Sequence, residues 1–298
     1  MGMSGLGEIR QLVNIVKPSI SIITNIGISH IEKLGSRQNI AKAKLEILEP
    51  LGKDDLAVLN AESPELWSKK EHISPKTIYF GHQKGDIRVS NVKTERENVT
   101  FEIKGKYGNH IFNIPILGTH NVMNALPAVA LGFEMGLSKQ DIYEGLMEFR
   151  PTKMRLELKK ASFGATLIDD SYNASPDSMK AALDVLRQMG EGKRKAAIIG
   201  DMLELGEYAN EAHRHIGEYA ADKTDILIAV GNFAREIISG ARDKGMDERD
   251  LYMFKSTKEA IGNVKNLVKK SDIILIKASR GLKMEQITQH LAGRVLID

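Results

Sequence analysis

The chain has 298 residues, of which 42% are hydrophobic and 27% are charged, which is typical of a soluble globular protein with two domains. Lysine and arginine number 42 against 39 aspartates and glutamates, and this small excess does not favour nucleic acid or an anionic membrane as a partner. No apolar run approaches the roughly 18 residues of a membrane helix, and the first residues lack a signal-peptide pattern. The absence of cysteine excludes disulfides, thiolate zinc sites and thiol catalysis, and it fits a cytoplasmic location.

The amino-terminal half mixes several kinds of predicted element. The apolar patterns predict a buried strand at 21–26, a helix at 36–51 and a second strand at 56–60. Short strands separated by polar turns indicate a meander over 77–116. Two helices follow, at 120–135 and 139–149.

The carboxyl-terminal half is more regular, because apolar strands alternate with amphipathic helices. Strands are predicted at 165–168, 196–199, 226–230 and 273–277, and helices at 177–189, 210–221, 233–244 and 257–268. This alternation is typical of a doubly wound, Rossmann-like α/β domain with a parallel sheet covered on both faces. Pro151 interrupts the periodicity between the halves, because proline bars a helix from continuing. We therefore predict two domains, 1–149 and 150–298.

Lys44 lies on the apolar face of the predicted 36–51 helix, in register with Ile40, Ile47 and Leu48. Burial of an ammonium group is costly unless its charge escapes or is chemically altered. One interpretation is a lysine that extends to the rim of the core, and periodicity alone favours it. The other is a functional lysine that points into a site.

His30 follows the predicted strand at 21–26, after the residues Thr-Asn-Ile-Gly. Ligand sites of open α/β sheets gather beyond the carboxyl ends of strands, which makes His30 a candidate ligand. A lone histidine is more often an ordinary hydrogen-bonding residue, so this signal is weak by itself.

The segment 118–124, Gly-Thr-His-Asn-Val-Met-Asn, opens a predicted helix. Free N–H groups at a helix start favour anions and polar ligands, although simple N-capping explains the same residues. The segment 169–173, Asp-Asp-Ser-Tyr-Asn, ends a predicted strand and fits either ribose or metal binding or a cluster of Asx turns. Arg155 either binds phosphate through its planar fork or is simply exposed.

The order of these segments along the chain resembles the Mur ligase family, ATP-dependent enzymes that add amino acids to the muramoyl precursor of peptidoglycan. The segments that carry the resemblance are 24–30, 41–44, 118–124, Arg155 and 169–179. The run 170–179, Asp-Ser-Tyr-Asn-Ala-Ser-Pro-Asp-Ser-Met, is the most discriminating. It is similar to the member that joins D-Ala-D-Ala to UDP-MurNAc-tripeptide, as are 200–206 and 277–281.

The resemblance implies roles for individual residues. It makes His30 a magnesium ligand, and it makes Lys44 the lysine that takes up carbon dioxide to become a carbamate, an oxygen anion of the kind magnesium prefers. It implies that Asn124 contacts adenine and that Arg155 and Asp170 contact phosphate and ribose. Three more residues are implied near the substrate cleft: Asn173, Ser279 and Arg280.

The activity implied by the resemblance is ATP-dependent ligation through an acyl phosphate. The implied cofactors are ATP and Mg²⁺, and the implied partners are UDP-MurNAc-tripeptide and D-Ala-D-Ala, with no nucleic acid and no membrane insertion. A cytoplasmic monomer is expected. The family resemblance assigns 1–149 to the carboxyl-terminal part of a central ATP-binding domain and 150–298 to the Rossmann-like carboxyl-terminal domain.

The family's phosphate-binding loop, G-x-x-x-x-G-K-[ST], does not occur in these 298 residues. Each Gly-Lys pair is followed by another residue type, namely Asp54, Tyr107 and Arg194. We therefore expect a truncated ligase, without its UDP-sugar domain, that is inactive by itself. The alternatives are a non-catalytic nucleotide-binding paralogue and another ligase of the Mur or folylpolyglutamate type.

Overall fold

The computed structural model describes residues 1–95 and 97–293. The chain divides between Arg150 and Pro151 into two compact units. Each unit is built on a six-stranded sheet, and most of the strand pairs in the two sheets are parallel. This confirms the predicted α/β class. None of the helices that the structure describes is long and apolar enough to cross a membrane.

The sheet of the amino-terminal unit follows the order of the chain. Its strands are β1 (Ile20–Ile23), β2 (Leu56–Asn60), β3 (Lys76–Gly81), β4 (Ile87–Glu95), β5 (Asn98–Gly105) and β6 (His110–Ile114). The pairs from β1 to β4 are parallel, and β4, β5 and β6 form an antiparallel meander. The predicted meander therefore begins at β4, because β3 pairs in parallel with its neighbours on both sides.

The helices of this unit are α1 (Glu8–Val16), α2 (Ile31–Leu34), α3 (Arg37–Leu45), α4 (Pro64–Trp67), α5 (His120–Glu134) and α6 (Lys139–Met147). The core forms where the sheet packs against α5, and it contains the fully buried rings of Phe80, Phe101 and Phe112. Val122, Leu126 and other apolar residues of α5 complete this core.

The predicted helix at 36–51 is wrong in length. α3 ends at Leu45, and a 3₁₀ turn over Glu46–Leu48 follows it. The change from α-helix to the 3₁₀ turn occurs at Glu46, whose side chain is 3% exposed. Its carboxylate accepts hydrogen bonds from the backbone N–H groups of Gly7 and Arg10. A carboxylate at the start of α1 complements the positive end of that helix. The start of α3 is as predicted, because Ser36 accepts a hydrogen bond from the N–H of Asn39.

The carboxyl-terminal unit has the predicted doubly wound arrangement. Its strands are β7 (Glu157–Lys160), β8 (Thr166–Asp169), β9 (Lys195–Gly200), β10 (Ile226–Val230), β11 (Leu251–Phe254) and β12 (Ile273–Lys277). They lie in the order β11-β10-β9-β12-β8-β7, and only the β7–β8 pair is antiparallel. The carboxyl ends of β8, β12 and β9 therefore lie side by side, at the edge where open α/β sheets bind ligands.

The helices that the structure describes in this unit are α7 (Pro176–Met189), α8 (Ala209–Ala221), α9 (Ala234–Asp243), α10 (Thr257–Leu267) and α11 (Glu285–Leu291). Pro176 stands in the first turn of α7, where its missing N–H costs no hydrogen bond, and Ser175 caps the helix start. The helices α10 and α11 share one apolar core with the sheet through residues such as Val264 and Ile287.

Two glycines allow α8 and α9 to pack closely. A Cβ on Gly217 would lie 1.8 Å from the carbonyl oxygen of Ile237, and one on Gly240 would lie 2.0 Å from that of Arg214. Gly217→Ala is expected to destabilise the unit by roughly 1–3 kcal/mol, because backbone must move to admit the methyl group. The measurement is urea unfolding followed by circular dichroism.

The matched control for this prediction is Gly262→Ala, because Gly262 lies inside α10 and a Cβ there meets nothing within 4 Å. That substitution is expected to raise the free energy of unfolding by up to about 1 kcal/mol, since alanine favours helix. Equal effects of the two substitutions would contradict the close packing of α8 and α9.

Candidate functional site

His30 and Lys44 line the same cavity in the amino-terminal unit. The cavity has a volume of about 360 Å³ and lies at the carboxyl end of β1, with Thr24 and Asn25 on its wall. His30 begins α2 in a left-handed conformation with φ of 65°, which is unusual for a residue with a side chain. The predicted pair is therefore brought together in one cavity.

Lys44 is partly buried, and its Nζ donates a hydrogen bond to the carbonyl oxygen of Asn25 at 2.8 Å. Burial lowers the pKa of the Lys44 amine below its usual range, because desolvation disfavours the ammonium form. A neutral amine is the form that can add to carbon dioxide. This environment therefore supports the second interpretation of Lys44, a functional lysine, more than a lysine that extends to the rim.

Among residues 1–95 and 97–293, no three histidine, cysteine, aspartate or glutamate side chains form a group that could hold a metal. A carbamate on Lys44 would add oxygen donors beside the imidazole of His30, and magnesium prefers such hard ligands. The cavity therefore fits magnesium through the carbamate form of Lys44.

Asn124 lies in the first turns of α5, outside the cavity that His30 and Lys44 line. Its Nδ2 donates to Oδ1 of Asn121 at 3.0 Å, and Nδ2 of Asn121 donates to the carbonyl oxygen of Leu117 at 2.7 Å. Thr119 precedes the helix without forming a side-chain cap. N-capping by the Thr119 side chain therefore does not explain the residues of segment 118–124. The Asn124 amide is exposed, and its hydrogen bond to Asn121 orients it.

Arg155 and Asp170 are brought together in the carboxyl-terminal unit. The N–H of Leu156 donates to Oδ1 of Asp170 at 3.1 Å, so the backbone beside Arg155 is tied to the loop that follows β8. The neighbouring acid, Asp169, is fully buried and accepts hydrogen bonds from Lys159 and from the hydroxyl of Ser171. Both acids therefore hold the loop after β8, Asp169 through Lys159 and Ser171, and Asp170 through the N–H of Leu156.

Lys277 is a residue of this site to which sequence reasoning assigned no role. Its Nζ lies 2.6 Å from Oδ2 of Asp170 and donates to the carbonyl oxygen of Asn173 at 3.0 Å, and its side chain is 3% exposed. Burial lowers the pKa of the Lys277 ammonium, and the carboxylate of Asp170 opposes that shift. The sequence did contain one signal for a role of Lys277, because a lysine at the end of a strand that is buried on both faces has no solvent to extend into.

Ser279 connects the loops that follow three strands. Its N–H donates to the carbonyl oxygen of Asp201 at 2.9 Å, and its Oγ accepts from the N–H of Leu203 at 2.9 Å. The same Oγ donates to the carbonyl oxygen of Ala174 at 3.4 Å, beside Asn173. Ser279 and Asn173 are therefore neighbours, at the carboxyl ends of β12 and β8.

Arg280 is half exposed and lies 3.0 Å from the carboxylate of Glu285. Its Nη1 also lies 3.4 Å from the sulfur of Met154, next to Arg155. The structure therefore places Arg280 on the same side of the unit as Arg155 and Asp170.

Asp201 and His213 fix the loops after β9 and β10, and neither was predicted as a site residue. The Asp201 carboxylate, 2% exposed, accepts hydrogen bonds from the N–H groups of Asn232 at 2.9 Å and Phe233 at 3.0 Å. Nε2 of His213 accepts from the N–H of Met202 at 2.8 Å, while Nδ1 donates to a backbone carbonyl oxygen of α8. The ring also stacks on Phe233 with 4.4 Å between centroids.

These two bonds require the neutral form of His213, because a protonated ring has no acceptor for the N–H of Met202. Burial lowers the pKa of His213 in the folded state, whereas the unfolded chain binds a proton below about pH 6.5. We therefore expect the contribution of His213 to the free energy of unfolding to be fully present above about pH 6.5 and to be lost as the pH decreases, by up to about 1.4 kcal/mol per pH unit.

Urea unfolding at pH 7.5 and at pH 5.5 measures this effect. His213→Phe keeps the stacking on Phe233 but cannot titrate, and it is expected to reduce the difference between the two pH values. His215→Gln, on the exposed side of the same helix, is expected to leave the difference unchanged. The same pH dependence in His213→Phe as in the unsubstituted chain would refute the assignment.

Two families match the chain, one in each unit. The Mur ligase middle domain matches residues 1–132, and the Mur ligase glutamate ligase domain matches residues 154–280. The chain is 39% identical, over 292 residues, to UDP-N-acetylmuramoyl-tripeptide–D-alanyl-D-alanine ligase of Bacillus subtilis, with 98% of this chain and 63% of that protein covered. The protein of the same name from Haemophilus influenzae is 31% identical, with 99% and 64% covered.

Solved structures are similar over the same range. A crystal structure of MurF from Acinetobacter baumannii superimposes with a TM-score of 0.88 at 30% identity, covering 99% of this chain and 64% of that chain. MurF from Thermotoga maritima in complex with ADP has a TM-score of 0.84 at 22% identity, covering 97% and 65%, and shares the fold. The chain thus spans less than two thirds of each of these relatives. These matches confirm the resemblance seen in the sequence: the chain belongs to the Mur ligase family.

Proposed function

We propose that this chain forms part of a ligase that joins D-Ala-D-Ala to UDP-MurNAc-tripeptide in peptidoglycan synthesis, with conversion of ATP to ADP. The observation that carries this proposal is the 39% identity, over 98% of the chain, to the Bacillus subtilis protein named for that reaction. One substrate carries UDP and the reaction consumes ATP, so we also propose that the protein acts in the cytoplasm.

We assign the cavity of His30 and Lys44 to magnesium. The neutral Lys44 amine adds to the carbon of carbon dioxide and loses a proton, and the resulting carbamate lies beside the imidazole of His30. The lowered pKa of Lys44 and its partly buried position support this step. A bound magnesium ion would neutralise phosphate charge during acyl phosphate formation.

We assign nucleotide contacts separately within each unit: to Asn124 in the amino-terminal unit, and to Arg155 and Asp170 in the carboxyl-terminal unit. The guanidinium of Arg155 has the planar donors that suit a phosphate, and the carboxylate of Asp170 can accept hydrogen bonds from ribose hydroxyls. Lys277 supports this assignment, because it holds the Asp170 carboxylate at 2.6 Å. We assign Asn173, Ser279 and Arg280 to the peptide substrates, since their contacts place them near Arg155 and Asp170 in the carboxyl-terminal unit.

A non-catalytic nucleotide-binding role is the second candidate. It rests on the same residues, Asn124, Arg155 and Asp170, and it would not require the G-x-x-x-x-G-K-[ST] loop, which does not occur in these 298 residues. Both candidates expect nucleotide binding, so a binding measurement does not separate them, whereas turnover does.

The separating experiment mixes the chain with a fragment of the Bacillus subtilis relative that carries the phosphate-binding loop. Release of phosphate from ATP is measured with UDP-MurNAc-tripeptide and D-Ala-D-Ala. We expect release that requires both peptide substrates and is not supported when D-glutamate replaces D-Ala-D-Ala. Nucleotide binding without turnover in every mixture would favour the non-catalytic role.

A further inference from the structure

Arg155 lies between two residues with strained backbone, in the segment 154–156, which we call the arch. The residues on either side, Met154 with φ of 61° and Leu156 with φ of 50°, are both in the left-handed region. Residues with side chains rarely adopt this conformation, and two of them around one arginine need strong local support. Such strain is found where a structure must present a group in one direction.

Hydrogen bonds hold the backbone on both sides of Arg155, and its own N–H donates to the carbonyl oxygen of Thr152 at 3.2 Å. The N–H of Met154 donates to the carboxylate of Glu157 at 3.0 Å, and the N–H of Leu156 donates to Asp170 at 3.1 Å. The N–H of Tyr172 donates to the carbonyl oxygen of Met154 at 3.1 Å. The backbone of Arg155 is therefore attached to the loop after β8 on both sides.

Tyr172 contacts the side chain of Arg155 as well. The guanidinium carbon of Arg155 lies over the Tyr172 ring, 4.3 Å from its centroid. Tyr172 is 41% exposed, so its ring does not fill the core of the unit. The contact between the guanidinium and this ring therefore lies at the surface of the unit.

We propose that Tyr172 is a positioning residue that holds the Arg155 guanidinium in the orientation that binds a nucleotide phosphate. This inference rests on the proposed role of Arg155 in nucleotide binding. A cation over an aromatic face uses the π-system and leaves the in-plane N–H donors of the guanidinium free for a phosphate. A side chain that is already ordered loses less conformational entropy when the ligand binds.

The test compares Tyr172→Leu with Tyr172→Phe, which keeps the ring and removes only the hydroxyl. Nuclear magnetic resonance of the Arg155 Nε–H group reports the stack directly, because a ring face shifts the resonance of a proton above it. We expect this shift to vanish in Tyr172→Leu and to persist in Tyr172→Phe. Tyr208→Leu, at an exposed tyrosine outside the arch, is the matched control and is expected to leave the shift unchanged.

Titration calorimetry with ADP measures the consequence for binding. Tyr172→Leu is expected to weaken ADP binding about two- to fivefold, the range for an exposed cation–π contact, and Tyr172→Phe to leave it unchanged. Arg155→Ala is measured in parallel and is expected to weaken binding at least as much.

The outcomes separate this inference from the function on which it rests. If Arg155→Ala leaves ADP affinity unchanged, or the unsubstituted chain does not bind ADP, the nucleotide role of Arg155 fails, and the positioning role fails with it. If Arg155→Ala weakens binding while Tyr172→Leu does not, the positioning role alone is overturned. Equal weakening by Tyr172→Phe and Tyr172→Leu would assign the effect to the hydroxyl and would also overturn it.

Discussion

Lys44→Ala is expected to lower ligation by the chain complemented with a phosphate-loop fragment by on the order of 10²–10³-fold, the typical effect of losing one group that stabilises transition-state charge. Without the amine no carbamate can form, and the cavity shared with His30 loses the oxygen anion that we propose as the magnesium ligand. The measurement is phosphate release that depends on D-Ala-D-Ala.

Two further experiments test whether loss of the carbamate causes the loss of activity in Lys44→Ala. Lys44→Arg keeps a long cationic side chain but cannot form a carbamate, so it is expected to lose as much activity as Lys44→Ala. Added acetate or propionate is expected to restore part of the activity of Lys44→Ala, because a short carboxylate fits the space that the side chain leaves. It is not expected to rescue Lys44→Arg, in which the side chain occupies that space. Full activity of Lys44→Ala would leave the lysine with only its hydrogen bond to Asn25.

Some parts of the fold that depend on local pattern were predicted from the sequence, whereas α1, β11 and α11 were not. The predicted strands at 226–230 and 273–277 coincide with β10 and β12, because burial on both faces produces uninterrupted apolar runs with sharp ends. β7 was missed, because its residues 157–160 form a partly exposed edge strand in which only Leu158 is apolar. The early end of α3 was missed because it depends on Glu46 reaching α1, more than 30 residues away in the chain.

The residues of the candidate site also differ in how far the sequence alone could identify them. Motif residues such as His30, Lys44 and Asp170 were found through the order in which they occur along the chain. Lys277 lies in the family-like segment 277–281 but received no role, because its partner Asp170 lies 107 positions away in the chain. The link from Asp201 to the loop after β10 likewise spans 31 positions and appears only once the strands are side by side.

The contact between Tyr172 and Arg155 was missed for a different reason. Tyr172 was within the discriminating run 170–179, but the arch depends on left-handed backbone at Met154 and Leu156, which neither residue type favours. Such a conformation is imposed by tertiary hydrogen bonds, so propensity gives no warning of it.

The 298 residues by themselves are expected to show no measurable ligation. The family's phosphate-binding loop, absent from this sequence, supplies backbone donors and a lysine for the phosphates of ATP. Each electrostatic donor of this kind is worth on the order of 10²–10³ in rate, and several act on the same transition state. The cavity of His30 and Lys44 remains, but a metal there has no phosphate held in place to act on.

Nucleotide binding is expected to survive this loss in a weakened form, because Asn124, Arg155 and Asp170 are all present and their neighbours hold them in place. The measurement has two parts on the same sample: ADP binding by calorimetry, and phosphate release from ATP with UDP-MurNAc-tripeptide and D-Ala-D-Ala. We expect heat of binding without release, and release once the complementing fragment is added. Turnover by the chain alone would show that other residues of this sequence can hold the phosphates, and it would contradict the requirement for the missing loop.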